Sequence, residues 1–199
     1  MKIQKMETLL TSPEFINDSI YLQARQDIEE AIKQVEWPEG SGKFTIYPES
    51  GKKRGEGNGV KPIKVNFIEY LQARGWRKEV SISENLGNVD AVFTKVGKVI
   101  AVEWETGNIS SSHRSINKMA FAIQRQDILA GFLIVPCRTL AKYLTDRIGN
   151  FEELEPYFDF WRNCTVCYPG ILSIIGIEYD DTSYDVPRIP KGTSGRAKN

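Results

Sequence analysis

Apolar positions repeat with helical spacing near the start of the chain and with strand spacing further along. After Ser12-Pro13, the stretch FINDSIYLQARQDIEEAIKQVEW (15–37) keeps apolar side chains near one face, which predicts a helix that Trp37-Pro38 ends. The glycine-rich residues 38–61 predict a long loop with one short strand at KFTIY. Pro62 suits the first turn of a second helix, which Gly75 closes after Arg74.

The rest of the chain predicts strands that alternate with helices. Residues 76–83 alternate in polarity, and residues 89–105 predict a hairpin that turns near residues 95–98. The continuously apolar runs 130–136 and 171–179 are typical of strands covered on both faces. Ser111 or Ser112 is the expected cap of a helix ending near Gln126, and TLAKYLTDRI and FEELEPYFDFW have helical patterns. This alternation predicts an α/β fold with a mixed central β-sheet flanked by helices.

Length and composition predict a soluble protein with one domain, residues 1–199. The 199 residues are 41% hydrophobic and 26% charged, a normal balance for a globular chain. No apolar run approaches the roughly 18 residues that a membrane-spanning helix needs. The N-terminus has no signal-peptide pattern, so we expect a cytoplasmic location.

Charge and cysteine content leave the function open. Lys+Arg and Asp+Glu both number 26, and a net charge of zero neither suggests nor forbids a nucleic-acid partner. Residues 51–64 and 186–199 are locally basic, although such stretches are more often solvated loops. Cys164 and Cys167 form a C-x-x-C without two further soft ligands, so we expect reduced thiols rather than a zinc site.

Three acids are predicted to meet at one end of the sheet. Glu103 and Glu105 lie two positions apart on a strand, so their side chains share one face. Asp90 lies on the other arm of the predicted hairpin, approximately opposite Glu103. Three carboxylates favour a hard divalent cation such as Mg²⁺, which activates water and stabilises charge on a phosphoryl oxygen. A lone E-x-E is more often an exposed pair at a sheet edge.

These acids and their surroundings resemble the nuclease core of restriction endonucleases. In that PD-(D/E)xK-type core, one strand carries an Asp and the next an acid-x-lysine; here Glu105 takes the lysine position, a variant of the BamHI family, which includes the shorter OkrAI. The words ETGNISSSHRSINK, YLTDRIGNFEELEPYF, NGVKPIK and VPRIPKG resemble segments that stand in the same order in that family. The resemblance covers most of the chain from Trp37 onward and is weak in the first thirty-five residues. It implies a restriction-endonuclease-like fold.

The resemblance implies a metal-dependent active site. Asp90 and Glu103 would bind the metal together with the Trp104 carbonyl oxygen, and Glu105 would bind or orient the attacking water. Glu79 matches a further acid of the metal site. A lysine can offset phosphate charge and a carboxylate cannot, so the Glu105 variant implies strict dependence on one or two Mg²⁺ ions.

The resemblance also implies double-stranded DNA as the substrate. Asn108, Ser110 and Arg114 match residues that reach into the major groove, where Asn suits adenine and Arg suits guanine. Asp146 and Arg147 would select a G·C pair, and Lys64 would lie near the DNA. Residues 186–199 resemble an arm that contacts DNA, with Lys191, Gly192 and Arg196 as contacts. His113 matches no catalytic role and is expected to pack or to touch backbone.

The implied target is the palindrome GGATCC, cut on both strands to leave four-base 5′ overhangs. A palindrome implies a symmetric homodimer, whose interface the resemblance places on helices 112–126 and 137–147. A cell carrying this activity also needs a cognate methyltransferase. Two alternatives stay open: a phosphoesterase acting on smaller nucleotides or branched DNA, and a sequence-specific DNA-binding protein that has lost cleavage.

Overall fold

A computed structural model of the chain describes residues 1–52, 56–82, 84, 86–145, 147–163 and 168–191, without the side chains of residues 61 and 62. The strands are β1 (Lys2–Leu10), β2 (Thr45–Ile46), β3 (Arg77–Ser81), β4 (Asn88–Lys95), β5 (Lys98–Trp104), β6 (Ala130–Pro136), β7 (Ile171–Glu178) and β8 (Asp181–Thr182). The helices are α1 (Pro13–Ile16), α2 (Ser19–Gln34), α3 (Lys61–Gln72), α4 (Ile109–Gln124), α5 (Arg138–Ala141), α6 (Phe151–Leu154) and α7 (Phe158–Arg162). A 3₁₀ turn, Glu155–Tyr157, joins α6 to α7.

Six strands form a mixed sheet in the order β1-β7-β6-β5-β4-β3. β5, β6 and β7 run parallel, whereas β1, β4 and β3 pair antiparallel with their neighbours. Every residue of β6 and β7 is buried, as is typical of parallel strands whose two faces are both covered. The predicted mixed central sheet is confirmed, and the short strand in the glycine-rich loop, β2, pairs separately with β8.

The two faces of the sheet bury separate hydrophobic clusters. Val102 and Trp104 of β5 pack in the cluster that contains Phe67 of α3. Ala101 points the other way, into the cluster that contains Ile116 and Met119 of α4. The odd-numbered residues at the end of β5 therefore face α4, which places any acid there against that helix.

The central hairpin forms as the sequence predicts. Val96 and Gly97 both have positive φ, 50° and 74°, as a two-residue turn of type I′ requires. The register that follows pairs Ala91 with Val102. One step further along this register, Asp90 and Glu103 lie opposite each other.

Several sequence predictions are wrong in detail. Residues Lys2–Leu10 form the edge strand β1, which the sequence did not indicate, and Asp18 caps a separate α2 where one long helix was expected. α4 starts at Ile109 with Asn108 as its cap, three or four residues before the expected Ser111 or Ser112. Of the expected helix 139–148, only the residues up to Ala141 are α-helical in the described chain, as part of α5 (Arg138–Ala141). Apolar periodicity alone does not show where a helix begins. Asp18 and Asn108 set the starts of α2 and α4 because their side chains accept hydrogen bonds from the first amides of the helix.

None of the helices in the described part of the chain is both long enough and apolar enough to span a membrane.

Candidate active site and DNA-reading surface

Asp90 and Glu103 meet where the hairpin ends. The Asp90 amide donates to Glu103 Oε2 at 3.0 Å, and the Trp104 amide donates to Asp90 Oδ2 at 2.7 Å. These bonds replace backbone pairing at this end of the β4–β5 ladder and fix both carboxylates beside each other. The Trp104 ring packs on Phe67 with 4.8 Å between ring centroids, so the core anchors the residue between the two glutamates.

Glu105 shares a helix partner with Glu103. The Ser115 hydroxyl lies 3.4 Å from Glu103 Oε1 and 3.2 Å from Glu105 Oε2, so α4 holds both carboxylates on one side of the sheet. The Gly107 amide also donates to Glu105 Oε1 at 2.7 Å. The predicted same-face arrangement of the two glutamates is confirmed.

Two lysines contact the acid pair. Lys64 Nζ of α3 lies 2.5 Å from Asp90 Oδ1, and Lys118 Nζ of α4 lies 3.2 Å from Glu103 Oε1. Lys118 also donates to the Asn88 carbonyl at 2.7 Å and its side chain is only 10% exposed. Sequence reasoning missed Lys118 and Ser115. Ser115 and Lys118 are three residues apart, so they lie on the same side of α4, and this spacing was the signal available in the sequence.

The electrostatics of the site centre on Glu103. Burial and the neighbouring Asp90 charge raise the pKa of the Glu103 carboxyl, while Lys118 and Lys64 act in the opposite direction. The site therefore carries excess negative charge that nearby cations relieve.

The donor chemistry suits a hard divalent cation, although the expected three-acid cluster is not closed. Within the described ranges, no group of three His, Cys, Asp or Glu side chains is close enough to hold a metal ion. The ammonium groups of Lys64 and Lys118 are cations that contact the carboxylate oxygens of Asp90 and Glu103. Oxygen atoms are the ligands that Mg²⁺ prefers. Glu79 is exposed, has φ 52° within β3, and lines an adjoining cleft with Lys64.

The three predicted reading residues of α4 are all exposed. Asn108 is the N-cap, and its side-chain oxygen accepts from the Ser111 amide at 3.1 Å. Ser110 and Arg114 line a cleft that continues to Lys118. The cleft therefore connects Ser110 and Arg114 to Lys118, which pairs with Glu103.

The second reading element is described in part. Arg147 is exposed with φ 67° and lines a basic cleft with Lys52, Arg138 and Lys142. The Gly149 amide donates to the Gly107 carbonyl at 2.9 Å, which ties this segment to the start of α4. Asp146, Gly192, Arg196, Cys164 and Cys167 lie outside the described residues.

Lys191 and His113 have local structural contacts. Lys191 Nζ donates to the Glu56 carbonyl at 2.5 Å. His113 packs against the rings of Tyr157 and Trp161, at 4.7 Å and 5.4 Å between centroids, so the expected packing role is confirmed.

Comparison with known proteins gives one consistent result. The family model described as "Restriction endonuclease BamHI" matches residues 1–196, including the first thirty-five residues, where the sequence resemblance is weak. The chain is 45% identical over 201 residues to the type II restriction enzyme OkrAI of Oceanobacter kriegii, covering 99% of each chain. It is 34% identical over 192 residues to the type II restriction enzyme BamHI of Bacillus amyloliquefaciens, covering 91% of this chain and 85% of BamHI.

Solved structures support the fold. Restriction endonuclease BglII complexed with a DNA 16-mer superposes with a TM-score of 0.63 at 13% identity, covering 90% of this chain and 79% of BglII. Free BglII gives a TM-score of 0.53 at 14% identity, covering 90% and 81%. The predicted restriction-endonuclease-like fold is confirmed, whereas the assignment of Glu105 to the lysine position stays a prediction.

Proposed function

The chain belongs to the BamHI family of type II restriction endonucleases, and on this premise we propose that it cleaves double-stranded DNA at GGATCC. As a site-specific deoxyribonuclease it hydrolyses phosphodiester bonds. The proposed cut leaves four-base 5′ overhangs. The observation that carries the proposal is that Glu103 bonds to Asp90 on one side and shares Ser115 with Glu105 on the other, beside the cleft that holds Ser110, Arg114 and Lys118.

Asp90, Glu103, the Trp104 carbonyl and Glu79 are the proposed ligands of one or two Mg²⁺ ions. Bound there, Mg²⁺ would lower the pKa of a water molecule and stabilise charge on the phosphoryl oxygen. Glu79 has a backbone conformation that is uncommon for a non-glycine residue, and such conformations concentrate at functional sites.

The protein side chains supply positioning and charge. Glu105, held by the Gly107 amide and Ser115, would orient the attacking water and accept its proton. Lys64 and Lys118 offset the charge of Asp90 and Glu103, which would otherwise repel the phosphate. Neutralising this pair is a requirement that any DNA-cleaving carboxylate site has to meet.

Sequence recognition is proposed to use two separate segments. Asn108, Ser110 and Arg114 would contact bases from the start of α4, and Asp146 with Arg147 would read the outer G·C pair. Lys64, Lys191, Gly192 and Arg196 are the proposed additional DNA contacts, the last three within the proposed arm, residues 186–199 of a single domain 1–199. The exposed positions of Ser110, Arg114 and Arg147 support this assignment.

A palindromic site calls for two copies of the chain. We propose a homodimer that pairs through residues 112–126 and 137–147, each subunit reading one half-site. The host cell, in whose cytoplasm the enzyme would act, is proposed to carry a methyltransferase that protects the same sequence.

The proposal is tested with a plasmid that contains a single GGATCC site. Purified protein is incubated with Mg²⁺ or with EDTA, and the DNA ends are sequenced. We expect cuts only at that site, only with Mg²⁺, and with four-base 5′ overhangs. Cleavage at another sequence would contradict the assigned reading residues, and tight specific binding without cleavage would favour a DNA-binding protein instead. Preference for small nucleotides or branched DNA would favour the phosphoesterase.

A further inference from the structure

The loop of residues 47–59, here called the glycine loop, has no role in the proposed mechanism, yet its described residues, 47–52 and 56–59, make close contacts with distant segments. Asn58 in this loop is completely buried. Its amide nitrogen Nδ2 donates to the Tyr47 carbonyl at 2.8 Å and to the Tyr143 carbonyl at 2.9 Å. Its oxygen Oδ1 accepts from the Ile189 amide at 3.1 Å. Both donor hydrogens and the acceptor of one side chain are thus used on three separate segments.

Backbone contacts bring the same segments together. The Asn58 amide donates to the Tyr143 carbonyl at 2.8 Å, and the Gly59 amide donates to the Ile189 carbonyl at 2.8 Å. A Cβ at Gly51 would lie 1.5 Å from the Leu144 oxygen, and a Cβ at Gly59 would lie 1.9 Å from the Pro190 oxygen. The glycines of this loop therefore permit a backbone approach that no other residue allows.

Two of the three segments carry proposed DNA contacts. Residues 143–149, the reading segment, include Arg147 and are fixed at their far end by the Gly149–Gly107 hydrogen bond next to Asn108. Residues 187–191, the arm root, belong to the described part of the proposed arm, residues 186–199, and include the proposed contact Lys191. Asn58 is the side chain that bonds both the reading segment and the arm root to the glycine loop.

We propose that Asn58 is a positioning residue for sequence recognition, which sets the reading segment and the arm root in one fixed relation. This inference rests on the proposed DNA-cleaving function. Asn58 does not touch DNA in this role. A buried amide whose hydrogen bonds are all made is held in one orientation, so Asn58 fixes the segments that it bonds. Removing one bond leaves a buried polar group unpaired, which costs the free energy of its desolvation.

The first test needs neither DNA nor metal. Asn58→Asp keeps the side-chain shape but turns the Nδ2 donor into an oxygen that faces two carbonyl oxygens. We expect hydrogen–deuterium exchange to quicken at least tenfold, together, in peptides covering 47–59, 143–149 and 187–191. Ser12→Ala is the matched control, because Ser12 is also buried and bonds both the carbonyl and the amide of Gly170. Faster exchange in only one of the three peptides of Asn58→Asp would overturn the coupling.

The second test measures recognition. The ratio of cleavage rates at GGATCC and at a site with one outer G·C pair replaced should fall at least tenfold in Asn58→Asp and stay unchanged in Ser12→Ala. An unchanged ratio in Asn58→Asp would show a purely structural residue. If the wild type cuts another sequence, the proposed specificity fails, and the ratio is taken at that sequence instead. If the wild type does not cut, the proposed function fails, and the same ratio is taken from binding constants.

A milder variant covers the case in which Asn58→Asp does not fold. Glu49 accepts from the Gly57 amide at 2.9 Å and pairs with Arg188 at 2.5 Å, at the solvent side of the glycine loop. Glu49→Ala should speed exchange in the loop and the arm root and lower the same ratio about threefold. A lower ratio without faster exchange would contradict the proposal.

Discussion

At the candidate active site, the charges of Asp90 and Glu103 are offset by Lys64 and Lys118. Glu103 bonds to the Asp90 amide, the Ser115 hydroxyl and Lys118, so its carboxylate has partners on β4 and α4. Lys118 is the charged one of these three partners, so replacing it changes the local charge by one unit while the contacts with Asp90 and Ser115 remain. Substitutions here therefore separate electrostatic from structural roles.

Lys118→Met should weaken DNA binding in EDTA by about tenfold, or about 1.4 kcal/mol. Without the ammonium, the carboxylates of Glu103 and Asp90 face phosphate with less compensation. Fluorescence anisotropy with a labelled GGATCC duplex measures the effect. Lys118→Arg should bind within about twofold of the wild type, and Glu103→Gln should shrink the effect of Lys118→Met because the two side chains interact. Equal losses in both backgrounds would assign Lys118 directly to DNA.

Glu178→Gln should remove a pH dependence of stability. Burial raises the pKa of Glu178 to about 7, while the unfolded chain has a value near 4.3. Between these values the folded protein holds a proton that the unfolded chain has lost, so stability falls as pH rises, by roughly 4 kcal/mol at most. Urea unfolding measures the free energy of unfolding at pH 5 and at pH 8. From pH 5 to pH 8 this free energy should fall more in the wild type than in Glu178→Gln. Parallel changes in both proteins would show that Glu178 titrates normally.

At the level of elements, strands were easier to predict than helix boundaries. The hairpin β4–β5 and the strands β6 and β7 follow from β-branched runs and a turn at residues 95–98, because their apolar side chains have to be covered. β1 is polar along much of its length and acquires its structure by pairing with β7, which the local sequence does not encode. The approach of Asp90 to Glu103 was predictable for the same reason as the hairpin, whereas the contacts of Lys118 and Asn58 depend on how distant elements pack.

Asn108 caps α4 and is also a proposed contact to a base, and one substitution can separate the two roles. Asn108→Asp keeps an oxygen that caps the Ser111 amide and adds negative charge at a helix N-terminus, so the unfolding free energy should stay within about 0.5 kcal/mol. It loses the Nδ2 donor proposed for base contact, so cleavage at GGATCC should fall at least a hundredfold.

Asn108→Ala is the comparison, because it also removes the cap and should cost about 1 kcal/mol of stability. Thermal unfolding and single-turnover cleavage measure the two effects. Full cleavage by Asn108→Asp would leave Asn108 with the capping role alone.

At the level of the whole molecule, one chain carries one candidate active site, whereas cutting the proposed palindromic site requires a cut on each DNA strand. Two copies of the chain would supply the two active sites. The proposed pairing surface includes α4, whose outer side carries Phe121 with half of its area exposed. The Arg125 guanidinium lies 5.9 Å from the Phe121 ring centroid, so the surface combines an aromatic group with a cation. Aromatic and arginine side chains are enriched where proteins associate.

Phe121→Asp should therefore convert a dimer into a monomer. Pairing would bury the exposed half of each Phe121, worth roughly 1 kcal/mol per subunit, and an aspartate in its place adds a desolvation cost on both subunits, so the dimer should weaken at least a hundredfold. Leu22→Asp is the matched control, because Leu22 of α2 is similarly exposed but lies outside the proposed surface. Sedimentation velocity at micromolar concentration should give a monomer for Phe121→Asp and a dimer for Leu22→Asp, and only the latter should linearise a plasmid with one site. A dimer that survives Phe121→Asp would place the pairing surface on another face, and both half-site assignments would have to be rebuilt around that face.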